Sequence, residues 1–158
     1  MITEVTGDLL ADDADVLVNP VNCVGVMGKG LALQFKNKYP SAFTAYKAYC
    51  DSGQLNPGHI FTYKLVGGPY IAHFPTKRHW RDPSRLVWIS MGLRELSAVL
   101  RDLQASSVAL PALGAGLGGL NWNMVKLVIH HHLGSLAWID VRLYVPESCT
   151  GFPGGSRT

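Results

Sequence analysis

The sequence predicts an α/β protein, with helices covering both faces of a largely parallel sheet. Three observations carry that expectation. Val16–Val21, VLVNPV, is a short and nearly continuous apolar run, the pattern of a strand buried on both faces. Leu86, Ile89, Leu93, Leu96, Leu100 and Leu103 recur at spacings of three and four, which places them on one helical face. Segments of the two kinds also interleave along the chain. Helical stretches over Gly30–Lys38 and 41–52, divided by Pro40, follow the VLVNPV strand. Residues 60–65 and 70–74 read as strands joined by a turn at Gly67-Gly68-Pro69. Ser107–Leu110 and residues 141–145 are further strands. Between these two, Val125, Val128, Ile129 and Leu133 mark a late helix that Asn121 or Asn123 would cap. There is no internal repeat.

A length of 158 residues fits one domain, and 47% hydrophobic with 16% charged residues describes a packed globule, not a disordered chain. Net charge is +3, so the molecule is no polycation, and any charge meant for nucleic acid must be local. The densest locality is FPTKRHWRDPS, which sets Lys77, Arg78, His79, Trp80 and Arg81 side by side. Cys23, Cys50 and Cys149 are odd in number and lack CxxC spacing, which argues against a disulfide framework or a zinc site and suits a reducing cytoplasm. The opening MITEVTGDLL is no signal peptide, and no apolar run approaches the ~20 residues of a membrane span. A cytoplasmic chain without membrane contact is expected. The closing PESCTGFPGGSRT reads as a tail or linker, so the domain is placed at 1–146 and the tail at 147–158. No metal is expected. His130, His131 and His132 are consecutive and point different ways on a helix, whereas shared ligation favours side chains four apart.

Parallel sheets of this class bind ligands at the carboxyl ends of their strands, so the loops that follow strands matter most. Three of them are unusual. VNCVGVMGKGLALQF leaves a strand near Asn22 and enters a helix near Gly30, and its glycines let main-chain amides approach an anion at a helix N-terminus. LPALGAGLGGLNW matches GxGxxG through Gly114, Gly116 and Gly119. It comes too late in the chain for a Rossmann dinucleotide site, and what survives is a second main-chain cradle for phosphate. The third loop turns out of a strand at Phe74-Pro75-Thr76-Lys77 and projects Lys77 near the sheet edge. Crowding by Arg78, Arg81 and His79 favours a neutral amine, which is a nucleophile or a base, while an ammonium is an acid or an anion anchor. Trp80 between arginines either stacks on a base of single-stranded nucleic acid or braces the core. Asp8 in GDLL either accepts a hydrogen bond from an exocyclic amine or caps a turn.

Taken together, GDLL, VNCVGVMGKGLALQFK, FPTKRHWR and LPALGAGLGGLNW resemble the macrodomain family over about residues 1–146. VNCVGVMGKG and FPTKRHWR point to its DarG-type branch, antitoxins of DarT-like toxins, and to the related human terminal ADP-ribose protein glycohydrolase. The resemblance implies a three-layer α/β/α sandwich with a mixed, largely parallel central sheet. It implies an ADP-ribosyl glycohydrolase that removes ADP-ribose from thymidine in single-stranded DNA, with no cofactor. It also implies a role for each loop. Asp8 and the Leu9 backbone would hold adenine. Gly114, Ala115, Gly116, Leu117 and Gly118 would wrap the pyrophosphate and distal ribose. Pro20, Val21 and Asn22, with Gly30, Leu31, Ala32 and Gln34, would complete the cleft, with Thr76 against the ligand. Lys77 matches the catalytic lysine, and Arg78, His79, Trp80 and Arg81 would meet DNA. The implied partners are ADP-ribose, ADP-ribosylated single-stranded DNA and a DarT-like toxin bound through a region outside this chain. Two positions depart from the pattern. Gly118 falls where the human relative carries an aspartate partner for its lysine, and Asn121 stands where Asp is common in the DarG type. Other readings are a non-catalytic reader of ADP-ribose and a glycohydrolase for ADP-ribosylated protein carboxylates.

Overall fold

The computed structural model describes residues 1–146; the tail expected over 147–158 lies outside them. Six strands form one sheet: β1 (Ile2–Val5), β2 (Val16–Val21), β3 (Phe61–Lys64), β4 (Tyr70–Pro75), β5 (Ser107–Leu110) and β6 (Asp140–Tyr144). Their spatial order is β1-β6-β5-β2-β4-β3. Every neighbouring pair is parallel except β3 with β4, which makes the sheet mixed but largely parallel. The helices are α1 (Gly30–Lys38), α2 (Pro40–Asp51), α3 (Leu86–Asp102) and α4 (Trp122–Leu133), with a short 3-10 turn at Leu9–Ala11. Among the described residues no helix is long and apolar enough to cross a membrane.

The side-chain period of two explains why VLVNPV is apolar almost throughout. Val16 and Val18 pack with Ile89, Leu93 and Leu96 of α3 and Val125 and Ile129 of α4 on one face. Leu17 points the other way and packs with Phe35 of α1 and Ala42 of α2. The sheet is therefore the middle of three layers. Pro40 does not separate α1 from α2 by a linker. It occupies the first turn of α2, where its missing N–H would have had no helical partner. Tyr39 serves both helices: its N–H donates to Phe35 O at 2.8 Å and its carbonyl accepts from Ala42 N at 3.1 Å. Asn121, not Asn123, caps α4, accepting from Met124 N at 3.2 Å. β1 has no legible apolar alternation because it is an edge strand with its two middle residues in solvent.

The turn after β1 is tied to β6 by charge. Arg142 donates to Asp12 and Asp13 at 2.5 Å each, and the Tyr144 hydroxyl donates to Asp12 at 2.5 Å. Burial pushes the Asp12 carboxyl up, but hydrogen bonds from Tyr144, Arg142 and Ala14 N outweigh it and hold it below the ordinary range. This fixes the 3-10 turn, and with it Asp8, over the carboxyl end of the sheet.

Phe74, on the strand that leads to Lys77, lies against the one glycine of α3. A Cβ built on Gly92 would sit 2.3 Å from the Phe74 ring. Alanine would gain about 1 kcal/mol of helix propensity. Overpacking a fully buried ring costs about 1–3 kcal/mol or more, and the clash wins. Gly92→Ala is therefore expected to lower the melting temperature by several degrees in a circular-dichroism melt, whereas an exposed helical glycine would show the opposite sign.

Candidate functional site

A cleft of about 820 Å³ opens at the carboxyl ends of β2, β4 and β5. The chain leaves β2 toward β4 on one side and leaves β5 toward β6 on the other. The cleft thus sits where successive connections diverge, the usual ligand position in an open α/β sheet. Three loops wall it, and each is held by a different device.

The first wall is Pro20, Val21, Asn22, Val26, Gly28, Lys29, Gly30, Leu31 and Ala32. Asn22 organises it from inside. Its Oδ1 accepts from Val24 N at 3.1 Å and Val26 N at 3.4 Å, and its Nδ2 donates to Val26 O at 2.8 Å. The buried Tyr46 hydroxyl on α2 lies 2.8 Å from both Asn22 O and Asn22 Oδ1. Burial first, and the nearby Cys50 thiol next, push that hydroxyl's pKa far up, so it remains a donor. Met27 is buried at the foot of the loop, where Asn19 Nδ2 reaches its sulfur at 3.7 Å.

The second wall is Pro111, Ala112, Gly114, Gly116, Leu117 and Gly118, just past β5. Gly114 takes φ +70°, and its carbonyl accepts from Leu120 N at 2.9 Å, closing the loop on itself. Gly118 accepts from Ser84 N through its carbonyl at 3.0 Å. A Cβ on Gly118 would lie 2.2 Å from Ser84 Oγ and 2.6 Å from Gly114 O. No carboxylate can stand there, which gives the absence of an aspartate at this position a steric cause. The two glycine loops nearly meet: a Cβ on Gly30 would be 3.5 Å from Leu117 Cδ1.

The third wall is Thr76, Lys77, Trp80 and Arg81. Two main-chain bonds continue the β2–β4 pairing beyond the sheet. Thr76 N donates to Val21 O, and Cys23 N donates to Arg78 O, each at 2.9 Å. Lys77 is half-buried between them, its Nζ 3.4 Å from Trp80 O. Among the described residues no carboxylate pairs with Lys77, Arg78 or Arg81. Trp80 is no core residue: 49% of it is exposed, with the Arg81 guanidinium 4.7 Å over its ring. Cys23 is no rival nucleophile, since burial first and Cys50 second push its thiol up to about 11 against the pull of Arg78.

Several residues expected at the site stand outside these walls. Asp8 is exposed and caps the 3-10 turn, accepting from Leu10 N at 3.0 Å. The Leu9 side chain is committed to the core, which leaves only its backbone for a ligand. Gln34 is exposed on α1, and Ala115 is half-buried inside the late loop. His79 lies with its ring 5.1 Å from that of Trp80. Arg78 turns away from the cleft toward Asn56, 3.5 Å distant. Conversely, Val26, Gly28, Lys29, Pro111 and Ala112 also line the cleft, and none is among the site residues expected above. Their signal was their place inside the two glycine-rich loops. Tyr46 and Ser84 left no signal at all, because their loop partners lie 24 and 34 residues away.

His73 on β4 lies beneath the first wall, fully buried between the Tyr46 and Phe61 rings at 5.2 and 5.7 Å. Its Nδ1 is 3.4 Å from Asn19 Nδ2. Burial pulls its pKa down to about 3, so it is neutral wherever the fold is intact.

The Macro domain family model matches residues 18–129, and the chain belongs to that family. It is 48% identical over 160 residues to a DNA ADP-ribosyl glycohydrolase of Mycobacterium tuberculosis, covering 99% of this chain and 44% of the relative. The chain therefore spans less than half the length of that protein. Among solved structures it is similar to the macrodomain of Mycobacterium tuberculosis DarG, with a TM-score of 0.89 at 48% identity, covering 92% of this chain and 98% of that one. It is also similar to Thermosipho africanus DarTG in complex with ADP-ribose, with a TM-score of 0.87 at 34% identity, covering 93% of this chain and 42% of that one.

Two outcomes follow from this geometry. Gly118→Ala is expected to lower the melting temperature and to abolish ligand binding, because the late loop cannot close around Ser84. Gly116→Ala, where a Cβ meets nothing within 4 Å, should melt like the wild type. The second outcome concerns acid. His73 has a folded pKa of about 3 against an ordinary value of 6.5, so its contribution to stability is full above pH 6.5 and falls away as pH drops toward 3. The slope is at most about 1.4 kcal/mol per pH unit. Urea midpoints for His73→Phe should decline less steeply than those of the wild type between pH 6.5 and 5, with His132, its pKa also lowered by burial, leaving a slope of its own.

Proposed function

We propose that this chain is the ADP-ribosyl glycohydrolase domain of a DarG-type antitoxin. It removes ADP-ribose from thymidine in single-stranded DNA that a DarT-like toxin has modified, and it works in the cytoplasm. The observation that carries this reading is the half-buried primary amine of Lys77 at a cleft walled by two glycine loops; the other lysine of the lining, Lys29, is exposed just before α1. The names of the similar proteins support the substrate.

Glycine loops suit a pyrophosphate because their amides bring partial positive charge close without bulky side chains. Gly114–Gly118 wraps the pyrophosphate and distal ribose, and Pro20, Val21, Asn22, Gly30, Leu31, Ala32 and Gln34 complete the sugar end. Asp8 and the Leu9 backbone take adenine, and Thr76 rests against the ligand. Trp80 with Arg78, His79 and Arg81 receives the DNA.

The bond to break joins ribose C1″ to a thymine ring nitrogen. Its electron pair leaves with the base, and positive charge grows on the ribose. Lys77 serves in one of two ways. As a neutral amine it attacks C1″, forming a carbon–nitrogen bond as the glycosidic bond breaks. The ribose ring then opens to a Schiff base, and water hydrolyses it to free ADP-ribose and restore the amine. As an ammonium it gives its proton to the departing base while water attacks C1″. Direct attack by the lysine asks nothing of a neighbouring carboxylate, and among the described residues none pairs with Lys77.

Lys77→Ala should keep ADP-ribose affinity in isothermal titration calorimetry while release from a modified oligonucleotide falls by ~100-fold or more. Full turnover by that variant would remove the lysine from the chemistry. Borohydride trapping of a covalent adduct separates amine from ammonium. Activity on ADP-ribosylated protein carboxylates but not on DNA would replace the DNA reading, and binding without release from either substrate would leave a reader.

A further inference from the structure

We infer that Arg78 and Arg85, gathered on the indole of Trp88, form a phosphate clamp for single-stranded DNA running out of the cleft past Trp80. The identity of the strand rests on the function proposed above; the clamp itself rests on the geometry. The Arg78 and Arg85 guanidiniums stand 5.6 and 5.1 Å from the Trp88 ring. Arg81 lies over Trp80, so two indoles of the short segment 78–88 hold three guanidiniums. Trp80 and Arg81 line the cleft, whereas Trp88 and Arg85 belong to the start of α3 and lie outside it.

None of the three arginines meets a carboxylate among the described residues; the ion pairs lie elsewhere on the molecule. Arg85 is also in the wrong place for folding. It is the N-cap of α3, its side chain makes no capping bond, and the first turn carries no acidic residue. A cation at the positive end of a helix dipole is unfavourable. An exposed cation–π contact returns a gain of similar size, so the arrangement is near neutral for stability. Two like charges and an uncapped helix start share one small surface, with no structural gain to account for them. A bound anion resolves all three features. It accepts from both guanidiniums and from the free N–H groups of α3. A strand whose base stacks on Trp80 brings its next phosphates to this surface.

The test uses fluorescein-labelled oligothymidylate, twelve nucleotides long and unmodified, titrated by fluorescence anisotropy across a salt series. Arg85→Gln should weaken binding by about fivefold to tenfold and flatten the slope of log K against log salt by ~0.7, one phosphate contact on a single strand. Its affinity for free ADP-ribose should stay at the wild-type value. Trp88→Leu, which frees both guanidiniums, should do at least as much. Should that variant misfold, Arg85→Gln alone decides. Wild-type affinity and slope in Arg85→Gln, or no oligothymidylate binding by the wild type, overturns the clamp. If the wild type binds through the clamp yet releases nothing from modified DNA, the clamp stands and the hydrolase reading falls. If modified DNA is turned over while Arg85→Gln binds oligothymidylate with wild-type affinity and slope, the reverse holds.

Discussion

Two main-chain hydrogen bonds govern this site. Thr76 N to Val21 O and Cys23 N to Arg78 O carry the parallel pairing of β2 and β4 past the edge of the sheet. Without them Lys77 would belong to a free loop, and its long side chain would sample solvent. With them the backbone on both sides of Lys77 is fixed to the end of β2 at Val21 and to Cys23 just past it. An amine so held surrenders less entropy on meeting a ligand, which is the advantage of mounting a functional group on a rigid element.

The polar groups beneath the cleft extend that constraint. Tyr46, Asn22, Asn19 and His73 are all buried, and a buried polar network is stabilising only when its members find partners. Asn22 finds most of its partners in its own loop, so the loop keeps its shape without an ion. Two atoms, Asn19 Oδ1 and His73 Nε2, have no protein partner although they are fully enclosed. Such atoms are a cost to folding. They lie directly beneath the loop whose form the cleft requires, and a neutral His73 keeps that floor uncharged.

The division of charge follows the chemistry expected of the ligand. Inside the cleft the walls are mostly glycine, alanine, proline and leucine, with amides supplying the polarity. At its mouth and beyond stand the free guanidiniums, Arg81 in the lining and Arg78 and Arg85 outside it, where salt screens their charge. Amide dipoles hold a small anionic group by position, and they do so without the desolvation penalty of a buried ion. The tight contact of Gly118 with Ser84 fits this division, because it leaves no room for a carboxylate at that point of the late loop.

Much of this molecule is legible in its amino-acid order. Period-two and period-3.6 patterns located the buried strands and α3, since those patterns are set by which face each side chain must bury. The glycine loops were visible for a similar reason: few other residues permit such close backbone approach. β1 was not delimited, because an edge strand with solvent on its middle residues has no burial pattern to read. Which glycines face the cleft, and that Arg78 turns from it toward Trp88, depended on tertiary packing. So did the anchoring of Asn22 by Tyr46 and of the late loop by Ser84. Those contacts join residues remote in sequence, and local order carries no record of a partner that only the folded sheet brings near.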